Sequence, residues 1–170
     1  MSISPDEKFS QIYDQYIEKI YRFVYLKVNS REIAEDIASR VFLSGWESYR
    51  KQPERIKNIG AFLYQTARNM VTDHYRNKGR TKLVSSEFIP QIIDDRTNLH
   101  EKAVVNSDIE IVRSALQKLN QDYQDVLIWH YLEDMQVAEI SEVLHKPPGT
   151  IRVMIHRGLN ALRDELGQES

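Results

Sequence analysis

The sequence predicts an all-α protein made of two small helical domains, an N-terminal helical bundle and a C-terminal helix-turn-helix domain, joined by a flexible linker. Three observations carry this expectation. Apolar residues recur at helical spacing through most of the chain. Only 6 Gly and 5 Pro occur in 170 residues, fewer than the turns of an all-β chain of this size would need. The periodicity lapses once, between Gly79 and Asn106, a stretch interrupted by Pro90. The expected boundaries are residues 5–82 for the first domain, 83–107 for the linker and 108–167 for the second domain.

The first helix is read from Phe9, Ile12, Tyr13, Tyr16, Ile17, Ile20 and Val24, which share one face, with start signals in Ser4-Pro5-Asp6-Glu7. A second helix follows Asn29-Ser30-Arg31-Glu32, where Asn29 is the expected N-cap and Glu32 the reciprocal residue of a capping box. Its apolar pairs run through Ile33/Ala34, Ile37/Ala38, Val41/Phe42 and Gly45/Trp46. Pro53 ends that pattern, so residues 50–58 are expected as a loop. A third helix starts near Gly60, with Leu63, Ala67, Met70, Val71 and His74 on one side and polar residues around the rest. Three helices in about 80 residues close a small bundle.

Within the linker a short helix is expected near residues 99–105. Beyond it, Ser107-Asp108 opens a helix carrying Ile109, Val112, Leu116 and Leu119, and Asn120-Gln121-Asp122 starts another ending at Glu133-Asp134. A short helix with Val137, Ile140, Val143 and Leu144, the connector 145–149 and a final helix with Ile151, Ile155, Leu159, Leu162 and Leu166 form the helix-turn-helix. In such motifs the turn residue is usually Gly and the middle of the first helix Ala. Here His145 and Ser141 stand instead. His tolerates a left-handed conformation better than a β-branched residue does, and Pro147-Pro148 stops the first helix and prepares the next.

Composition excludes several functions. With 0 Cys there are no disulfides, thiolate metal sites or cysteine nucleophiles. No apolar run approaches the roughly 20 residues of a bilayer crossing, and the N-terminus has no basic or apolar leader, so a cytoplasmic protein with no membrane insertion is expected. The acidic pairs Glu35-Asp36, Asp94-Asp95 and Glu133-Asp134 diverge on a helix, and the five His residues lack metal-ligand spacing. No phosphate loop or nucleophile elbow is present. No catalytic residue, metal or cofactor is expected, and the chain is read as not an enzyme.

A net charge of -2 argues at first against nucleic-acid binding. Resolved by segment, it consists of two basic elements in an acidic remainder. Residues 68–82 carry net +4 from Arg68, Arg76, Lys78, Arg80 and Lys82 against Asp73, and residues 146–163 carry +4 from Lys146, Arg152, Arg157 and Arg163 with no acid. Thr150, Arg152, Val153, His156 and Arg157 occupy the first two turns after the helix-turn-helix connector, where a recognition helix meets the major groove. Arginine bonds two guanine acceptors at once there. The first basic element is interleaved with Phe62, Tyr64, Gln65, Asn69, His74 and Tyr75, and aromatic faces beside cations suit unpaired bases. Phe62 and Tyr75 also read as core residues, and for Phe62 that reading is preferred.

The order of these pieces resembles a known family over nearly the whole chain. Ile20-Tyr21-Arg22-Phe23-Val24, Ala34-Glu35-Asp36-Ile37 with Val41-Phe42-Leu43 and Trp46, and Phe62-Leu63-Tyr64 with Ala67-Arg68-Asn69 and Asp73-His74-Tyr75-Arg76 look like region 2 of the extracytoplasmic-function (ECF) sigma factors of bacterial RNA polymerase. Tyr131-Leu132-Glu133, Glu139-Ile140, Gly149-Thr150-Ile151-Arg152 and His156-Arg157 resemble region 4. The resemblance implies an initiation factor that binds RNA polymerase core and directs it to promoter DNA. It implies contacts to the β′ clamp helices through Asp36, Ile37 and Arg40, with Phe42 and Trp46 read as core, and contacts to the β flap. It also implies a regulating anti-sigma factor. Relatives often carry Gln-Glu where this chain has Ser39-Arg40.

Arg68, Asn69, Asp73 and Arg76 match the part that recognises and opens the minus-ten element, with residues 50–60 as the pocket for an extruded base. For Asp73, an acid in a DNA-facing run, the favoured reading is structural, orienting Arg76 or Arg68. Thr150, Arg152, Val153, His156 and Arg157 match the reader of the minus-thirty-five element. The alternatives are a stand-alone helix-turn-helix regulator with a dimerising bundle and a helical interaction module that does not touch DNA.

Overall fold

The computed structural model describes residues 3–84 and 107–169, and every regular element among them is helical. The helices are α1 (Pro5–Val28), α2 (Arg31–Lys51), α3 (Ile59–Val84), α4 (Ser107–Gln117), α5 (Gln121–Leu127), α6 (Val137–Leu144) and α7 (Pro148–Glu169). A single 3₁₀ turn at Pro53–Arg55 links α2 to α3, and a π-turn at Ile128–Leu132 continues α5. The short helix expected near residues 99–105 and most of the linker lie outside the described residues. Two compact units result, Met1–Lys78 with Ala138–Lys146, and Gly79–Val137 with Pro147–Ser170. The segment 138–146, which the sequence groups with the C-terminal domain, therefore makes its contacts within the first unit.

In the first unit the sequence signals act locally. Ser4 caps α1 by accepting from the Glu7 amide at 3.2 Å, and Pro5 occupies the first turn, where a missing N–H costs nothing. The boundary between α1 and α2 differs from expectation by one residue. Asn29 has φ 53° and closes α1, its N–H donating to the Tyr25 carbonyl, while Ser30 caps α2 by accepting from the Ile33 amide. The Asn29–Glu32 capping box is not formed. Asparagine tolerates the left-handed C-cap conformation, so two abutting helices divide Asn-Ser between a stop and a start.

Ile20, Phe23, Val24, Ala34, Ile37, Val41, Leu63, Ala67 and Val71 fill the core of this unit. Each large aliphatic or aromatic side chain removed from water stabilises by roughly 1.5–3 kcal/mol. Towards the start of α1 the core becomes aromatic: Phe9 lies 5.3 Å from the Trp46 ring, and Tyr13 meets Phe42 edge-on at 4.9 Å. Gly45 allows this approach, because a Cβ there would sit 2.9 Å from Leu63 Cδ2.

The second unit has its own core. Leu116, Leu119 and Leu127 pack with Tyr123, Leu159 and Leu162, and Trp129, Ile151 and Val126 are fully buried. Asn120 caps α5 through a 2.9 Å bond from the Tyr123 amide. The π-turn ends where the Glu133 amide donates to the Ile128 carbonyl and Asp134 takes φ 54°. A Cβ at Gly158 would lie 3.3 Å from Tyr123 Cβ, so glycine lets α7 lie close against α5. Among the described residues no helix is long and apolar enough to cross a membrane.

Candidate nucleic-acid interface

An exposed cationic surface lies on α7. Thr150, Arg152, Val153, His156 and Arg157 are all exposed, whereas Ile151 and Ile155 between them are buried. At about 100° per residue the five fall within an arc of roughly 160°. The two buried isoleucines hold the inward side of the helix, and that orients the arc outward. Val153 is 45% exposed, a β-branched apolar side chain in the middle of a polar face. Among the described residues no carboxylate pairs with Arg152 or Arg157.

Two further residues extend this face. Asn160, whose amide nitrogen lies 3.4 Å from His156 Nε2, and the exposed Arg163 continue the same arc. A motif match that stops at Arg157 misses them. The signal available in the sequence is the spacing, since His156, Asn160 and Arg163 follow one another at i, i+4 and i+7.

The turn before α7 takes the form that the sequence makes difficult. His145 adopts φ 55°, the left-handed conformation expected of the turn residue. Ser141 Oγ donates to the Lys146 carbonyl, and the Lys146 amide donates to the Ser141 carbonyl at 3.3 Å. Both departures from the usual motif are thereby tied into the end of α6.

The second candidate surface is on α3. Asn69, Asp73 and Arg76 are exposed and Arg68 is half-buried, all within about 140° of arc. Arg76 lies 3.8 Å from Asp73, so the one acid of this run orients an arginine. The aromatic residues near it have different fates. Tyr64 is core, edge-on to Phe23 at 6.0 Å, and Phe62 is half-buried. Tyr75 keeps 43% of its surface exposed while its hydroxyl donates to the Lys27 carbonyl, which holds the ring in place. His74 sits half-buried beside Tyr75, and burial together with Lys78 lowers its pKa below the usual imidazole value.

Before α3 the chain forms an open groove of about 730 Å³, lined by Lys51, Arg55, Lys57 and Phe62 among others. Asn58 starts α3, its side-chain oxygen accepting from the Ala61 amide at 3.1 Å. The groove thus combines three cations, an aromatic ring and fixed amide groups.

On α2, Asp36 and Arg40 are exposed and lie 3.7 Å apart as an i, i+4 pair. Ile37, the third residue expected on this surface, lies differently from Asp36 and Arg40. It is only 2% exposed, because the apolar stripe that forms the helix also carries it into the core. Phe42 is buried as expected, Trp46 is half-buried and Leu43 is exposed.

Comparison with known proteins matches the same two segments. Residues 12–81 match the model of Sigma-70 region 2, and residues 109–162 match Sigma-70 region 4. The ECF RNA polymerase sigma factor SigW of Bacillus subtilis is 30% identical over 169 residues, covering 94% of this chain and 89% of that protein. The ECF RNA polymerase sigma factor BldN of Streptomyces coelicolor is 27% identical over 162 residues, 92% of this chain but 59% of that longer protein. Among solved structures, the sigma factor RpoE of Bartonella quintana, crystallised in complex with the anti-sigma factor NepR, shares the fold with a TM-score of 0.70 at 20% identity, covering 95% of this chain and 98% of that one.

Proposed function

The chain belongs to the ECF family of RNA polymerase sigma factors, and we propose that it binds RNA polymerase core and directs initiation at its promoters through two separate DNA-reading surfaces. On this reading it is a non-enzymatic regulator that works in the cytoplasm. Residues 5–82 act as region 2 and residues 108–167 as region 4. The observation that carries the assignment is the outward face over the first two turns of α7, which is basic and carries no acid, in a chain whose net charge is otherwise against DNA.

Thr150, Arg152, Val153, His156 and Arg157, extended by Asn160 and Arg163, read the minus-thirty-five element in the major groove. Arg68, Asn69 and Arg76, with Asp73 as the orienting acid, meet the minus-ten element, and the groove before α3 accepts an unpaired base. Unstacking that base costs a few kcal/mol, which cations and an aromatic face offset. Asp36 and Arg40 dock on the β′ clamp helices, while region 4 meets the β flap. A weak overall field limits nonspecific DNA binding. Useful affinity then arises when polymerase presents both surfaces at once and makes the second contact effectively intramolecular. A protein of the anti-sigma class, like the one bound to the Bartonella quintana factor, is the regulator expected for such a chain.

Run-off transcription with core polymerase and genomic fragments tests the proposal. A core-dependent set of start sites is the expected result. Equal promoter binding with and without core, with no directed transcript, overturns it in favour of a stand-alone regulator.

A further inference from the structure

Val153 stands at the apex of the α7 face. At about 100° per residue it lies roughly 160° around the helix from each of the two buried isoleucines, Ile151 and Ile155, so it points directly away from the core of its unit. With 45% of its surface exposed, it is the apolar member of a ring of polar neighbours, Thr150 one turn before it and His156 and Arg157 one turn after it. Gly149, four positions earlier, completes the ring, and a Cβ built there meets nothing within 4 Å. Helical side chains lean towards the N-terminus, so the methyl groups of Val153 overhang this bare turn. The result is an apolar ledge beside uncovered backbone, open to solvent and surrounded by hydrogen-bonding side chains.

A helix seated in the major groove brings its apex residue nearest the base edges. Those edges carry donors and acceptors with one apolar exception, the C5 methyl of thymine. Valine has no donor or acceptor to offer. Against the amino group of cytosine or adenine, or the carbonyl of guanine, it strips water from a polar atom and returns no hydrogen bond. Against the thymine methyl both surfaces are apolar, and their burial is favourable. The bare turn at Gly149 leaves room for the base edge beneath the valine.

We propose that Val153 is a specificity-determining residue, which selects thymine at one position of the minus-thirty-five element by contact with its C5 methyl. This rests on the reading of α7 as the reader of that element. Residues four apart on a helix are separated by about 6 Å, and base pairs stack about 3.4 Å apart. The selected thymine therefore lies within about two base pairs of the one that Arg157 meets. Arginine reads hydrogen-bond acceptors on this face, and Val153 reads the methyl group between them.

Replacing thymine by deoxyuridine removes the methyl and leaves every hydrogen-bonding group in place, which makes the test direct. Holoenzyme formed from core polymerase and the full chain is titrated with a mapped promoter duplex in which each minus-thirty-five thymine, on either strand, is replaced in turn. A loss of about fourfold in affinity, the effect of one buried methyl group, is expected at one position. In the Val153→Ser protein the thymine and deoxyuridine duplexes bind alike, whereas Val153→Ile keeps the difference. Three results overturn the inference and leave the sigma function standing, provided the natural chain gives core-dependent transcripts: deoxyuridine tolerated at every position, a mapped element without thymine, or the same loss in the Val153→Ser protein. Absence of those transcripts overturns the function and the inference together.

Discussion

Replacing Arg157 by alanine separates recognition from stability. The side chain is exposed on α7 and makes no ion pair among the described residues, so the fold loses nothing that holds it. Alanine is at least as good a helix former as arginine, and surface changes of this kind stay within about 0.5 kcal/mol. A guanidinium that bonds a guanine edge bidentately contributes about 1–3 kcal/mol of discrimination, a loss of roughly 5- to 150-fold at the matched promoter. If Arg157 instead meets phosphate, affinity falls evenly across sequences and the salt slope drops by about one. Holoenzyme binding to a mapped promoter duplex, titrated against salt, tells these apart, while chemical denaturation monitors the fold. Ile151→Ala is the contrasting change on the same helix, because it is fully buried and its loss costs about 2–5 kcal/mol of stability. An Arg157→Ala protein that binds its promoter within twofold of the natural chain, with an unchanged salt slope, refutes the assignment of this face.

Other changes follow from the geometry. Gly45→Val forces a branched side chain against Leu63 and is expected to cost about 1–3 kcal/mol in urea denaturation. Ser30→Ala removes the cap of α2 and costs about 1 kcal/mol, whereas Asn29→Gly, in a left-handed C-cap, stays within about 0.5 kcal/mol; the reverse order is incompatible with the boundary described above. Because burial and Lys78 lower the His74 pKa, the unfolded chain binds its proton first as pH falls below about 6.5. Stability therefore falls with pH from there down to the folded-state value, and His74→Gln should flatten that acid limb in pH-dependent melting.

How much of the molecule was legible in the sequence varies with the range of the interaction. The caps Ser4 and Asn120, the stop at Asp134 and the left-handed turn at His145 depend on a residue and its near neighbours, and each is visible in the chain itself. The α1–α2 junction was displaced by one residue because Asn and Ser are both good caps; which one starts the helix depends on which tolerates positive φ. Tyr64 and Ile37 show the same limit on a larger scale. A motif places them among partner-facing residues, and packing against the other helices of the unit turns their side chains inward.

The sequence by itself determined that the chain is helical and where it divides into basic and acidic segments, since helical periodicity and charge order are written along one dimension. It also carried the motifs that identify the family. Only the tertiary structure decided which members of each motif reach solvent, that Asn160 and Arg163 extend the α7 face, and that Glu142 and His145 lie in the groove with Asn58 and Gln65. Those partners are separated by 84 and 80 positions along the chain. Hydrogen bonds of that span are set by how helices pack, and no local pattern encodes them.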